Sequence, residues 1–356
     1  MAKARPPDTL DFIRPAVRAM DGYVPGEQPQ DGGWIKLNTN ENPYPPSPRV
    51  REAIRGCATD DVRLYPDPMA NPLRDAGAAR YDLTREHILA GNGSDELLAM
   101  VLRACVDAGD RVAYPTPTYS VYDTLVAIAG ASAVRLPWPQ DYSLPAGLAE
   151  SGARVIFLCN PNAPSGTVVG VDLLRGLSEQ AAGLLVVDEA YVDFADDSAL
   201  RLVRERPNVI VLRTLSKSFS LAGMRIGLAL GPPPVIAELR KVKDSYNLSR
   251  VSIAAGAAAL ADYDAMREHV QRVCATRARL TEQLRALGYE VPSSRANFVL
   301  ARRRGRDQRA VYEALKQRRI LVRYFATPEL ADALRISVGT DEEIDTLLAA
   351  MADIAR

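Results

Sequence analysis

Three apolar runs in this 356-residue chain stop abruptly at polar, chemically capable residues. Val155-Ile156-Phe157-Leu158 leads to Asn160-Pro161-Asn162, Leu184-Leu185-Val186-Val187 to Asp188-Glu189-Ala190-Tyr191, and Val209-Ile210-Val211-Leu212 to Thr214-Leu215-Ser216-Lys217. Short apolar runs bounded by turn or polar signals predict strands buried on both faces of a parallel sheet. Ligands of such sheets sit just past the strands' carboxyl ends. One pocket is therefore expected to gather an amide, a carboxylate, a phenol, a hydroxyl and an amine.

The length exceeds that at which one hydrophobic core keeps growing, so two domains are expected. Residues 1–38 hold many prolines and glycines and read as an extended arm. Over 39–257, strand-like runs alternate with helical candidates at 50–56, 95–108, 119–129, 171–182 and 235–244. That alternation predicts α/β architecture, a large domain with a mostly parallel central sheet. Residues 258–356 carry a long helical stretch from 263 to 287, short strands near 298–300, 320–322 and 334–338, and a closing helix over 342–354. They read as a smaller α+β C-terminal domain.

Lysine plus arginine equals aspartate plus glutamate at 44 each, so no global field favours nucleic acid or an anionic membrane. The four cysteines are widely separated, which argues against a metal knuckle or disulfide framework and suits a reducing compartment. The opening residues lack the apolar core of a signal peptide, and the alanine-rich stretch at 251–261 is too short to span a bilayer. A cytoplasmic protein with no resident metal is expected.

An amine forms an imine only when partly deprotonated, which desolvation and neighbouring positive charge promote. Of six lysines, Lys3 lies in the arm, Lys36 at a strand start, and Lys241, Lys243 and Lys316 on amphipathic helices; Lys217 alone follows a buried strand. A loop lysine in isolation reads as a surface residue, but Ser216 before it and Arg225 beyond it weaken that reading. Gly91-Asn92-Gly93-Ser94-Asp95 opens a helix, with Ser94 suited to its N-cap, and free N–H groups there bind phosphate. Glu96 stands where a dinucleotide fingerprint needs a third glycine, so a nicotinamide enzyme is disfavoured. Asp188, buried in an apolar run, wants a cation; a helix-capping acid is the plainer alternative. Tyr191 and Asn162 can hydrogen-bond a ring oxygen or simply a loop, and Tyr119 can stack on a flat ring or serve the core. Only two histidines are present, so a histidine base is nearly excluded. Arg335 and Arg323 lie in strand-like segments and would seek an anion, whether a ligand or an acidic side chain. Lysine, acid, donors and phosphate loop together match the needs of pyridoxal phosphate.

Seven motifs follow in order along nearly the whole chain: Leu37-Asn38-Thr39-Asn40-Glu41-Asn42-Pro43, Arg63-Leu64-Tyr65-Pro66-Asp67, Gly91 to Glu96, Cys159 to Gly166, Val187 to Tyr191, Thr214 to Phe219, and Leu334 to Thr340. As a set they resemble the fold-type I pyridoxal phosphate aminotransferases and, within them, the histidinol-phosphate aminotransferase family. The resemblance implies Lys217 as the Schiff-base lysine, Asp188 on the pyridine nitrogen, Tyr191 and Asn162 at the ring oxygen, and Tyr119 stacked on the ring. It implies Gly93, Ser94, Asp95, Ser216 and Arg225 at the phosphate, with Tyr65 reaching across from the second subunit of a homodimer. Tyr23, Asn162, Arg323 and Arg335 would face substrate, with the arginines taking the carboxylate of glutamate or the phosphate of histidinol phosphate. The implied reaction passes an amino group between histidinol phosphate and 2-oxoglutarate in histidine biosynthesis. An aromatic amino acid aminotransferase or a threonine-phosphate decarboxylase-like lyase is the alternative. Ser165 stands where many relatives carry threonine, a change that keeps the turn and the hydroxyl.

Overall fold

The computed structural model describes residues 10–20 and 22–355. Lys3 and the rest of the opening segment lie outside the described residues. In chain order the first elements are α1 (Pro15–Ala19), β1 (Ile35–Leu37), α2 (Pro48–Arg55), α3 (Asn71–Tyr81), β2 (Ile88–Gly91), α4 (Ser94–Cys105), β3 (Arg111–Thr116), α5 (Val121–Ala129) and β4 (Ser132–Pro137). There follow β5 (Val155–Cys159), α6 (Val171–Gln180), β6 (Leu184–Asp188), α7 (Leu202–Glu205), β7 (Val209–Thr214), β8 (Gly227–Leu230), α8 (Pro233–Lys241) and α9 (Arg250–Ala261). The last are α10 (Tyr263–Ala286), β9 (Phe298–Arg302), α11 (Arg309–Gln317), β10 (Ile320–Tyr324), β11 (Ala333–Ser337) and α12 (Asp341–Ile354).

The seven-stranded sheet has the order β2-β8-β7-β6-β5-β3-β4, and β8 alone runs against the others. The three apolar runs are its centre, β5, β6 and β7. Their side chains alternate between two apolar layers: Phe157, Val186, Ile210 and Leu212 feed one, while Ile156, Leu158, Val187 and Val211 feed the other. Burial on both faces is why these strands show no polar alternation.

A four-stranded sheet, β1-β10-β11-β9, is antiparallel except where β1 runs parallel to β10. β1 comes from the stretch expected as an extended arm, so the chain's start is stitched into the sheet built by its end. The layer holding Phe157 continues into Phe298, Leu334 and Leu347, giving the two sheets shared apolar contact.

α4 begins one residue earlier in role than expected. Gly93, at φ +86°, occupies the cap position, and Ser94 is the first helical residue with no capping bond from its side chain. A left-handed backbone favours glycine there, which frees the serine hydroxyl for other use.

Candidate active site

The carboxyl ends of β5, β6 and β7 open into a cavity of about 470 Å³. Its walls include Ser94, Asp95, Tyr119, Asp188, Tyr191, Ser216, Lys217, Arg225, Arg323 and Arg335, with Tyr23 at the rim. Residues far apart in sequence thus converge because consecutive parallel strands end on one edge.

Among the described residues, Lys217 Nζ has one hydrogen-bond partner, the Thr39 carbonyl at 3.4 Å. Burial, reinforced by the positive charge of Arg335, pulls its pKa down from 10.5 to about 8. Asp188 moves the other way: burial raises its pKa from 3.8 to about 6, opposed by a hydrogen bond from Tyr122. Tyr122 Oη donates to Asp188 Oδ2 at 3.0 Å, and the Ala190 N–H donates to Oδ1 at 3.2 Å. The carboxylate is held from behind and faces the cavity with no cationic partner among the described residues. Tyr119 donates to Asp95 Oδ1 at 3.0 Å, and the edge of Tyr23 packs on its ring at 6.2 Å.

The start of α4 forms a cradle. Ser94 Oγ is buried without a hydrogen-bond partner among the described residues, an unusual state for an interior hydroxyl. A Cβ on Gly93 would stand 2.6 Å from the guanidinium of Arg225, which itself lies 3.4 Å from Asp95. Helix N–H groups, an idle hydroxyl, an arginine and close backbone approach together suit a phosphate. A buried acid lacking a cation suits a protonated pyridine nitrogen, and a partly deprotonated amine suits an aldehyde. The residues present therefore fit pyridoxal phosphate.

Arg323 and Arg335 are directly opposed on β10 and β11. Neither makes an ion pair among the described residues. Arg335 donates to the Asn38 carbonyl at 2.8 Å and keeps its Nε buried and unpartnered; Arg323 donates to the carbonyls of Val24 and Pro25.

Three sequence candidates lie elsewhere. Asn162 is fully buried behind the wall, its amide donating to Ser165 Oγ and the Pro117 carbonyl while Thr118 donates to its Oδ1. Gly93 acts through the backbone next to Arg225 and does not line the cavity. Tyr65 is exposed and outside the cavity, stacked on Tyr246 at 4.4 Å. Two residues that hold the site's side chains in place escaped sequence reading, Tyr122 behind Asp188 and Asn40 against Tyr191. Tyr122 looks like any aromatic on a helix, and Asn40 sits in a quoted motif without a role attached.

A mostly parallel sheet that presents a depressed-pKa lysine, an unpaired buried acid and a helix-start phosphate cradle on one edge defines a fold-type I pyridoxal phosphate enzyme. A family model described as aminotransferase class I and II matches residues 32–351. The chain is 44% identical over 348 residues to histidinol-phosphate aminotransferase 1 of Trichormus variabilis, covering 97% of this chain and 99% of that one. It is 47% identical over 343 residues to the histidinol-phosphate aminotransferase of Geotalea uraniireducens, covering 96% and 99%. The solved structure of histidinol-phosphate aminotransferase from Sinorhizobium meliloti in complex with pyridoxal-5'-phosphate matches with a TM-score of 0.89 and 30% identity, over 97% of this chain and 98% of that one. The chain belongs to the class I and II aminotransferases and, among them, to the histidinol-phosphate aminotransferase family.

Proposed function

We propose that the protein is a cytoplasmic homodimer that moves an amino group from glutamate to imidazole acetol phosphate, giving L-histidinol phosphate and 2-oxoglutarate, the direction that histidine biosynthesis requires. The observation that carries the substrate reading is the pair Arg323 and Arg335. Like charges directly opposite on adjacent strands repel, and the half-buried Arg335, with its Nε shut off from water and unpartnered, lacks the anion that would offset its desolvation. A ligand anion resolves both, and glutamate and histidinol phosphate each bring one. A single clamp then serves two unlike substrates in turn.

Bound here, pyridoxal phosphate supplies the aldehyde that takes up the amino group and a ring that draws electrons from the substrate. The protein's part is to place and to protonate. With a pKa of about 8, roughly a tenth of Lys217 amines are neutral at pH 7, enough to react and then to serve as the base. As a free amine, Lys217 Nζ would take the proton from the amino-bearing carbon of the donor. Asp188 would hold positive charge on the ring nitrogen, and Tyr191 would hydrogen-bond the ring oxygen. Tyr119 would pack on the ring, while Gly93, Ser94, Asp95, Ser216 and Arg225 would hold the phosphate. Asn162 would support the ring-oxygen side through the turn it braces, and Tyr23 would stand on the substrate side.

Lys217→Ala is expected to abolish turnover and the visible absorbance of the bound cofactor; a variant that keeps both would refute the reading. Arg335→Ala is expected to cost about 2–5 kcal/mol in kcat/KM for glutamate and for histidinol phosphate, as when one partner of a buried charged contact is truncated. Unchanged values for both substrates would remove the clamp. An aromatic amino acid is the second reading, favoured by Tyr23, Tyr119 and Phe325 around the same cavity. Comparing histidinol phosphate, phenylalanine and threonine phosphate as substrates separates it, and the decarboxylase alternative with it.

A further inference from the structure

We infer that Asn40 is a positioning residue that sets the direction in which the Tyr191 hydroxyl donates its hydrogen, aiming it into the cavity. This rests on the cofactor reading above.

Asn40 is 2% exposed and adopts the left-handed backbone at φ 57°, which asparagine tolerates better than most residues. Its backbone N–H donates to Ser337 Oγ at 2.8 Å, and Ser337 Oγ lies 3.0 Å from Asn40 Oδ1. Asn297 Nδ2 donates to the Asn40 carbonyl at 2.9 Å, fixing the loop from a third side. A backbone N–H can only donate, so the serine oxygen is the acceptor in that contact and its own hydrogen is free for Oδ1. Turning the amide over would give the serine oxygen two donors and leave its hydrogen without an acceptor in a buried place. The amide is thereby oriented with Nδ2 toward Tyr191 Oη, at 3.0 Å.

A phenol oxygen that accepts from Asn40 cannot send its hydrogen along the same line. Among the described residues Tyr191 Oη has no other hydrogen-bond partner, and the open side is the cavity. The chain Ser337, Asn40, Tyr191 thus converts a serine on β11 into a directional choice at the active site. Ser337 is two residues from Arg335 on the same strand, so the strand that meets the substrate anion also sets this hydrogen.

The test reads the pH midpoint of the holoenzyme's visible absorbance. A hydrogen donated to the ring oxygen competes with the proton on the Lys217–cofactor linkage, so losing that donor lets the linkage keep its proton to higher pH. Tyr191→Phe is expected to raise the midpoint. Asn40→Asp replaces the donor by an acceptor and is expected to raise it by roughly one unit, a tenfold change in proton affinity. The same change made with Tyr191→Phe subtracts whatever the new charge does alone, and there the added shift is expected to fall several-fold. Ser337→Ala, which introduces no charge, is expected to move the midpoint in the same direction by less, and carries the test if Asn40→Asp fails to load cofactor. Equal shifts with and without Tyr191, or a Ser337→Ala midpoint identical to that of the unmodified enzyme, would overturn the inference and leave the cofactor reading intact. A purified protein that binds no pyridoxal phosphate would overturn both.

Discussion

Asp188 is ionised at a place where ionisation is expensive. Its folded pKa of about 6 exceeds the ordinary 3.8, so between those values the native state holds more protons than the unfolded chain. Stability contributed by the protonated form is complete below pH 3.8 and is lost as pH rises through about 6. At neutral pH the cofactor-free protein carries a burden of up to ~3 kcal/mol from this one group. Asp188→Asn removes the charge without changing shape. It is expected to raise the unfolding midpoint of the cofactor-free protein above pH 6, with the gain shrinking to nothing near pH 4. The same substitution is expected to weaken cofactor retention, because the ring nitrogen loses its counter-charge. An Asp188→Asn protein equally stable without cofactor at pH 5 and pH 8 relative to its parent would contradict this account. The acid is kept despite its cost to the empty fold, a trade often seen at functional sites.

At the scale of elements, β6 and β7 are joined behind the cavity by a buried ion cluster. Arg213 Nε lies 3.0 Å from Glu189 Oε2, and its Nη1 lies 3.2 Å from Asp193 Oδ1. Glu189 also accepts from the Ala199 N–H, and Asp193 accepts from Ser218, the neighbour of Lys217. Breaking a buried pair leaves an uncompensated charge, so Glu189→Gln is expected to destabilise the fold by about 3 kcal/mol, the low end for such a loss because Asp193 still faces Arg213. Denaturant unfolding at unchanged slope checks it. Strands such as β5, β6 and β7 were legible in the sequence because both faces are apolar, and α4, α6, α10 and α12 because one stripe is. Other elements were not. α9 packs against α2 and α3 and is alanine-rich, so its few larger apolar residues, Val251, Ile253 and Leu260, draw no clear stripe that marks it as a helix. β1 is three residues long: a strand start at Lys36 was expected, but its pairing with β10, nearly 300 positions away, is one that no local pattern encodes. The same limit explains the site. Lys217 and Asp188 announce themselves by standing at the ends of buried runs, whereas Tyr122 and Asn40 acquire meaning only through partners brought in by the fold.

For the whole molecule, the position of Tyr65 bears on assembly. It is 77% exposed beside Val62 at 65% and Leu64 at 46%, and it lies outside the cavity of its own chain. A two-fold dimer in which this segment reaches the other protomer's phosphate cradle gives the exposed apolar residues a partner and completes each site with a residue from the opposite chain. Tyr65→Ala and Lys217→Ala are then each expected to be nearly inactive alone. Mixed during assembly in equal amounts, the two chains pair at random, and half the dimers contain one of each. In such a dimer both lesions fall in one site and the other site is whole, so the mixture is expected to recover about a quarter of normal activity. Self-contained sites would give no recovery, since every chain would carry its own lesion. Measuring turnover across mixing ratios, with sedimentation to confirm the dimer, decides between the two: recovery that peaks at equal amounts supports the shared site, and a flat line near zero removes Tyr65 from it.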